Sequence, residues 1–242
     1  MVEPATIHTS KEAIYLEGAR TRTVELGFAI RVFGQFIRGL RKMHFLGPCI
    51  TVFGSARFRD GHPYYEKAEE IGKAITEMGF TVMTGGGPGI MEAANKGAYE
   101  AGGTSIGCNI ELPFEQRPNP YMHKWITFEH FFVRKVLLLK YSYAFIVMPG
   151  GWGTMDEMFE TLTLIQTGII KNFPVVLVGK DYYAPLMEYL HFMVLEKTIS
   201  ESDLQYIRLT DDVGEAKAHI LKFIKANYVI KKRKPRWWLL EN

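Results

Sequence analysis

The feature that most limits what this chain can become is a repeating unit: a short unbroken apolar run, then a stretch with helical periodicity, with glycine clustered after several of the runs. Runs such as Ala144-Phe145-Ile146-Val147-Met148 and Pro174-Val175-Val176-Leu177-Val178 are continuous rather than alternating. A strand covered on both faces needs that pattern, and interleaved with helices it predicts βα units stacked around a parallel sheet. Strands are expected near 49–54, 80–84, 105–110, 124–128, 144–148 and 174–178, and helices near 62–78, 90–101, 131–142, 154–167, 181–195 and 212–227.

Ahead of this pattern lies a different one. Leu26, Ile30, Phe33, Ile37 and Leu40 recur at alternating steps of four and three, with Arg31, Arg38, Arg41 and Lys42 between them, which predicts an amphipathic helix over 23–42. The apolar stripe either packs on its own domain or meets a partner subunit as a coiled-coil-like seam. No internal repeat or low-complexity linker interrupts the rest, and 242 residues suit one α/β domain. The expected organisation is an N-terminal helical extension (1–47), a nucleotide-binding domain (48–230) and a basic aromatic tail (231–242).

The formal net charge of +3 is concentrated in that tail, where Lys231, Lys232, Arg233, Lys234 and Arg236 face only Glu241. The body is therefore close to neutral, and a nucleic-acid partner is not expected of it. The tail itself either binds nucleic acid or anionic lipid through charge and tryptophans, or is a solubilising segment or one packed on a partner subunit. Cys49 and Cys108 lie in apolar runs without metal-ligand spacing and read as reduced core thiols; the histidines, His123 and His130 among them, make no metal motif. No run approaches the ~18 apolar residues of a spanning helix, and the first residues lack a basic and apolar leader, so a cytoplasmic protein is expected, with no membrane association.

In an open parallel sheet, ligands sit beyond the carboxyl ends of the strands. Those positions hold Gly54-Ser55-Ala56-Arg57, Thr84-Gly85-Gly86-Gly87-Pro88-Gly89 and Pro149-Gly150-Gly151-Trp152-Gly153-Thr154. Glycine allows close backbone approach, and a helix start just afterwards aims unpaired N–H groups at an anion, so a phosphate is the natural guest. The alternative for any one loop is a tight connection and nothing more. Neither phosphate fingerprint fits: Ile90 stands where G-x-G-x-x-G needs its last glycine, and no loop carries a Walker lysine. A mononucleotide or sugar phosphate suits such loops better than a dinucleotide or a nucleoside triphosphate.

Pro149-Gly150-Gly151-Trp152-Gly153-Thr154-Met155-Asp156-Glu157, the Gly85–Glu92 loop and Arg134-Lys135 between them together resemble the LOG ("Lonely guy") family, over about residues 48 to 200. These are cytokinin riboside 5′-monophosphate phosphoribohydrolases, often labelled lysine decarboxylases. The resemblance implies a Rossmann-like α/β fold with helices on both sheet faces. It implies hydrolysis of the N-glycosidic bond of a purine nucleoside 5′-monophosphate, AMP or an N6-modified AMP, without metal or redox cofactor. It also implies a homodimer or higher oligomer with the site near the subunit interface. Gly150, Gly151, Gly153 and Thr154 would hold the 5′-phosphate, Arg134 and Glu157 would be catalytic, and Gly54, Ser55, Gly86, Gly87, Met91 and Glu92 would line the nucleotide. Trp152 departs from the tyrosine or phenylalanine that the resemblance leads one to expect there, and Asp156 stands where a glutamate is common.

The residue types suit the chemistry, because glycosidic cleavage builds oxocarbenium character on the ribose and negative charge on the leaving base. Glu157 answers the first need as a carboxylate that stabilises the cation, binds a ribose hydroxyl or orients water. Arg134 positions the nucleotide or Glu157, and Lys135 is a weaker candidate. Against this, Thr154-x-x-Glu157 has the spacing of a helix capping box, in which Glu157 would only satisfy a backbone N–H. Arg134-Lys135 has the ordinary alternative of a solvated helix face. A cofactor carrier on the same kind of fold, which binds a phosphorylated ligand without cleaving it, is the rival to the hydrolase. It would not require the Arg134 and Glu157 pair. Nothing around any lysine suggests pyridoxal phosphate chemistry.

Overall fold

The computed structural model describes residues 11–16, 18–112 and 117–228. In chain order these form α1 (Lys11–Leu16), α2 (Arg22–Met43), β1 (Cys49–Phe53), α3 (Pro63–Glu77), β2 (Thr81–Thr84), α4 (Ile90–Glu100), β3 (Ser105–Ile110), β4 (Lys124–Phe128), α5 (Phe131–Tyr141), β5 (Ser142–Val147), α6 (Trp152–Gln166), β6 (Val175–Leu177), α7 (Lys180–Leu195), α8 (Glu201–Leu204), β7 (Ile207–Leu209) and α9 (Val213–Asn227). The basic tail expected at 231–242 lies outside the described residues.

The strands make one seven-stranded sheet in the order β4-β3-β2-β1-β5-β6-β7, with every pairing parallel. Successive side chains of the central strands serve opposite faces, as strand geometry requires. Phe145, Val147, Val175 and Leu177 join Val133, Leu137, Met158 and Tyr183 in the core under α5, α6 and α7. Ala144, Ile146, Val176 and Val178 join Ala68, Ile71, Ala94 and Ile220 in the core under α3, α4 and α9. This is the Rossmann-like α/β fold with helices on both faces. Three elements have no counterpart in the sequence pattern, the first being the six-residue helix α1. Helix α8 is four residues long, and β7 is a three-residue edge strand with Arg208 turned outward, too short to leave an apolar run.

Helix α2 forms over the expected residues, but its stripe does not pack on the domain. Leu26, Ile30, Phe33 and Ile37 are 43 to 66% exposed, and only Leu40, at the end of the stripe, is half-buried. The packed face is the one bearing Val32, Gln35, Phe36, Gly39 and Met43. Gly39 permits the closest approach, since a Cβ there would sit 2.9 Å from the Phe128 ring. Gln35 is buried because its amide is spent on β4 and α5: Oε1 accepts the Glu129 N–H at 3.0 Å, and Nε2 lies 2.9 Å from His130 Nδ1. His130 is the N-cap residue of α5.

The strand order reverses between β1 and β5, so the chains leaving these two neighbours run to opposite sides and open a crevice at their carboxyl ends. Among the described residues no helix is long and apolar enough to cross a membrane.

Candidate active site

The crevice is occupied by the glycine loops that follow β1 and β5. They are tied together: the Ser55 N–H donates to the Pro149 carbonyl at 2.9 Å, and the Ser55 carbonyl accepts the Ile90 N–H that starts α4, at 3.0 Å. Beyond Pro149 the chain turns directly into α6, whose N-cap is Gly151. The N–H groups of Thr154 and Met155 donate to the Gly151 carbonyl. Among the described residues, no protein acceptor is recorded for the N–H groups of Gly150, Gly151, Trp152 and Gly153. Consecutive unpaired donors at a helix start form an anion-binding concavity.

This start corrects the capping reading of Glu157. Helix α6 begins at Trp152, two residues before the expected start, so Thr154 already lies inside the first turn and Glu157 in the second. No side chain caps the end, and Glu157 is free for another partner. That partner is Arg134, one turn into α5, whose Nη1 lies 3.4 Å from Glu157 Oε1. The side chains are 12% and 6% exposed, so the pair is nearly sealed from water. Arg134 is held from a second side by its Nε, which donates to the Cys108 carbonyl at the end of β3 at 2.9 Å. Gly85 makes room for it, since a Cβ there would come 3.0 Å from Nη2 and 2.7 Å from Met91 Sδ.

Burial raises the Glu157 carboxyl to about 7, against the opposing pull of Arg134 and Lys135. A carboxyl poised near neutrality, beside a fixed cation and a phosphate-sized cradle, is suited to acid–base or charge-stabilising work. The neighbouring charges behave otherwise. Lys135 reaches Asp156 at 2.9 Å and Glu160 at 3.1 Å on the outer side of the same two helices. It is a strut between α5 and α6 rather than a group aimed at the crevice.

Above the pair opens a cavity of about 700 Å³, within the range of small-molecule sites. Gly54, Ser55, Met91, Arg134, Gly150, Gly151, Gly153 and Thr154 line it, while Glu157 lies behind Arg134, outside the lining. Gly86, Gly87 and Glu92 do not. The Gly86 and Gly87 carbonyls are bound by the Asn119 N–H at 3.1 Å and its Nδ2 at 3.0 Å. Asn119 in turn bonds Asn95, whose amide spans Thr84 and Ser105. Their loop is thus set by a buried amide network that shapes the crevice from behind. Glu92 lies toward Tyr65 of α3, where it adds to the effect of burial in pushing that phenol up to about 12.

Ala56, Arg57 and Trp152 of the glycine loops also line the cavity, whereas sequence reasoning missed Phe53, Phe58 and Tyr182 in the lining, and Gly85 behind Arg134. Gly85 sits in the glycine run and was legible there, whereas Tyr182 is brought in by α7 with no local motif. Trp152 is 93% exposed at the rim. Cys49 and Cys108 are buried and free, and burial pushes both thiols up to about 12. Among the described residues no three His, Cys, Asp or Glu side chains gather as a metal cage.

A family model described as "possible lysine decarboxylase" matches residues 91–220. A cytokinin riboside 5′-monophosphate phosphoribohydrolase of Rhodococcoides fascians is 32% identical over 71% of this chain and 88% of its own length. The cytokinin riboside 5′-monophosphate phosphoribohydrolase LOG of Oryza sativa subsp. japonica is 32% identical over 67% of each chain. Among solved structures, a Moco carrier protein of Chlamydomonas reinhardtii is 28% identical, with a TM-score of 0.55 over 74% of this chain and 98% of that one.

Proposed function

This chain belongs to the LOG family of cytokinin riboside 5′-monophosphate phosphoribohydrolases, and on that premise we propose that it hydrolyses the N-glycosidic bond of a purine nucleoside 5′-monophosphate, AMP or an N6-modified AMP. The 5′-phosphate sits on the four unpaired N–H groups from Gly150 to Gly153, with Thr154 beside them. The ribose then lies over Met91 and Arg134, and its anomeric carbon faces Glu157. The C1′–N9 bond breaks with its electron pair going to the base, water adds to C1′, and the proton released reaches the base, leaving free purine and ribose 5-phosphate. Glu157, as carboxylate, stabilises the cationic sugar and receives the proton of the attacking water. Arg134 keeps that carboxylate in place and offsets charge on the departing base. The phosphate grip supplies the binding energy that fixes this alignment.

The observation that carries the reading is the sealed Arg134–Glu157 pair next to an anion cradle, with the carboxyl raised to about 7. The second reading, a carrier, is favoured by the similarity to the Moco carrier protein. It leaves unexplained why a buried charge pair, costly to desolvate, should face the ligand. A decarboxylase has less support, since among the described residues no lysine lines the cavity, and Lys135 is engaged by two carboxylates.

The experiment is incubation of the purified chain with AMP, followed by chromatography. Free adenine with equimolar ribose 5-phosphate supports the hydrolase; saturable AMP binding without cleavage, for AMP and N6-modified AMP alike, supports the carrier. The exposed stripe of α2 further supports a homodimer or higher assembly. Light scattering after size exclusion checks the assembly, and a clean monomer contradicts it.

A further inference from the structure

Three successive carbonyls at the turn from β5 into α6 are tied back by three different donors. Tyr183 Oη donates to Met148 O at 2.8 Å, Ser55 N–H to Pro149 O at 2.9 Å, and Tyr182 Oη to Gly150 O at 2.7 Å. A peptide plane whose carbonyl is held on one side presents the next N–H to the other, so the bond to Gly150 O fixes where the Gly151 N–H points. We propose that Tyr182 is a positioning residue for the phosphate cradle: its hydroxyl holds the Gly150–Gly151 peptide with its N–H turned toward the 5′-phosphate. This rests on the reading of the cavity as a nucleoside 5′-monophosphate site.

The placement of Tyr182 is itself built. Helix α7 starts at Gly179, whose φ of +107° suits glycine and whose Cα approaches so closely that a Cβ would lie 2.9 Å from Pro149 Cγ. The Asp211 carboxylate accepts the Gly179 N–H at 2.7 Å and the Lys180 N–H at 3.1 Å, clamping that start to the chain after β7. Tyr182 and Tyr183 follow within the first turn, and their fates differ. Tyr183 is wholly buried, and its hydroxyl closes a core hydrogen bond. Tyr182 is 44% exposed, lines the cavity, and offers its hydroxyl only to the cradle. Loss of that hydroxyl leaves no void, and Gly150 O can turn to water, so the change falls on the cradle rather than on the fold.

The test compares the full chain with Tyr182→Phe in three measurements: ribose 5-phosphate binding by calorimetry, cleavage of AMP and of unphosphorylated adenosine, and thermal melting. The expected result is a five- to tenfold weaker grip on ribose 5-phosphate and a matching rise in KM for AMP. The kcat for AMP stays within about twofold, while adenosine cleavage and the melting temperature stay unchanged. Unaltered ribose 5-phosphate affinity, or equal losses on AMP and adenosine with a lowered melting temperature, overturns the proposal. If the wild type binds ribose 5-phosphate but cleaves neither AMP nor an N6-modified AMP, the hydrolase reading fails, and the binding arm still decides the role of Tyr182.

Discussion

Two clusters of charge connect α5 and α6, an inner pair of Arg134 with Glu157 and an outer one of Lys135 with Asp156 and, a turn further on, Glu160; Arg134 and Lys135 are neighbours in the chain, as are Asp156 and Glu157. The residue types are nearly the same. The surroundings are not, for Glu157 is 6% exposed and Asp156 54%. Burial raises Glu157 to about 7 despite Arg134, whereas at Lys135 burial, which favours the neutral amine, is outweighed by the hydrogen bonds its ammonium donates to Asp156 and Glu160, and its pKa is raised. One helical step separates an exposed salt bridge from a buried carboxyl raised toward neutrality. It also changes the donor chemistry, because arginine's planar fork can bind a carboxylate and the Cys108 carbonyl at once, which an ammonium does less well.

The sharpest way to break this comparison is from the arginine side. Arg134→Ala should lower kcat for AMP by about 10²-fold or more, the scale of a misplaced catalytic group, and should leave the fold intact as judged by circular dichroism. Smaller in effect is pH. With Glu157 acting as carboxylate and titrating near 7, kcat/KM should fall about tenfold per unit as pH drops below that value and level off above it. A profile flat from pH 5 to 9 would remove Glu157 from proton or charge chemistry. Smallest is the outer pair: Lys135→Met should keep kcat within about threefold and cost roughly 1 kcal/mol or less of stability in a denaturant titration, as partly exposed ion pairs do. A large loss of turnover with an unchanged melt would move Lys135 into the site.

How much of this was legible in the sequence differs from region to region for physical reasons. The central strands β1, β5 and β6 were readable because continuous apolar runs have few other uses. Strand β7 was not, since three residues around an outward Arg208 carry no such run. The direction of the α2 stripe was undecided because Val32, Phe36 and Met43 mark a second apolar face, and packing rather than periodicity chose between them. In the site, the glycine loops announced themselves by composition. The Thr154-x-x-Glu157 spacing was misleading, because the helix begins where Gly151 lets the chain turn, not at the first good capping side chain. Tyr182 and Asn119 were invisible, since each acts on a loop more than thirty residues away in the chain.

The central claim is that the inner of the two pairs, and not the outer, performs the cleavage. Its most direct measurement is the rate of adenine release from AMP by Glu157→Gln and Asp156→Asn assayed side by side, each shown to bind AMP. The expected result is a loss of about 10³-fold or more for Glu157→Gln, with Asp156→Asn within about threefold of the wild type. Comparable rates for the two variants would contradict the account and leave the crevice a binding site without chemistry at Glu157.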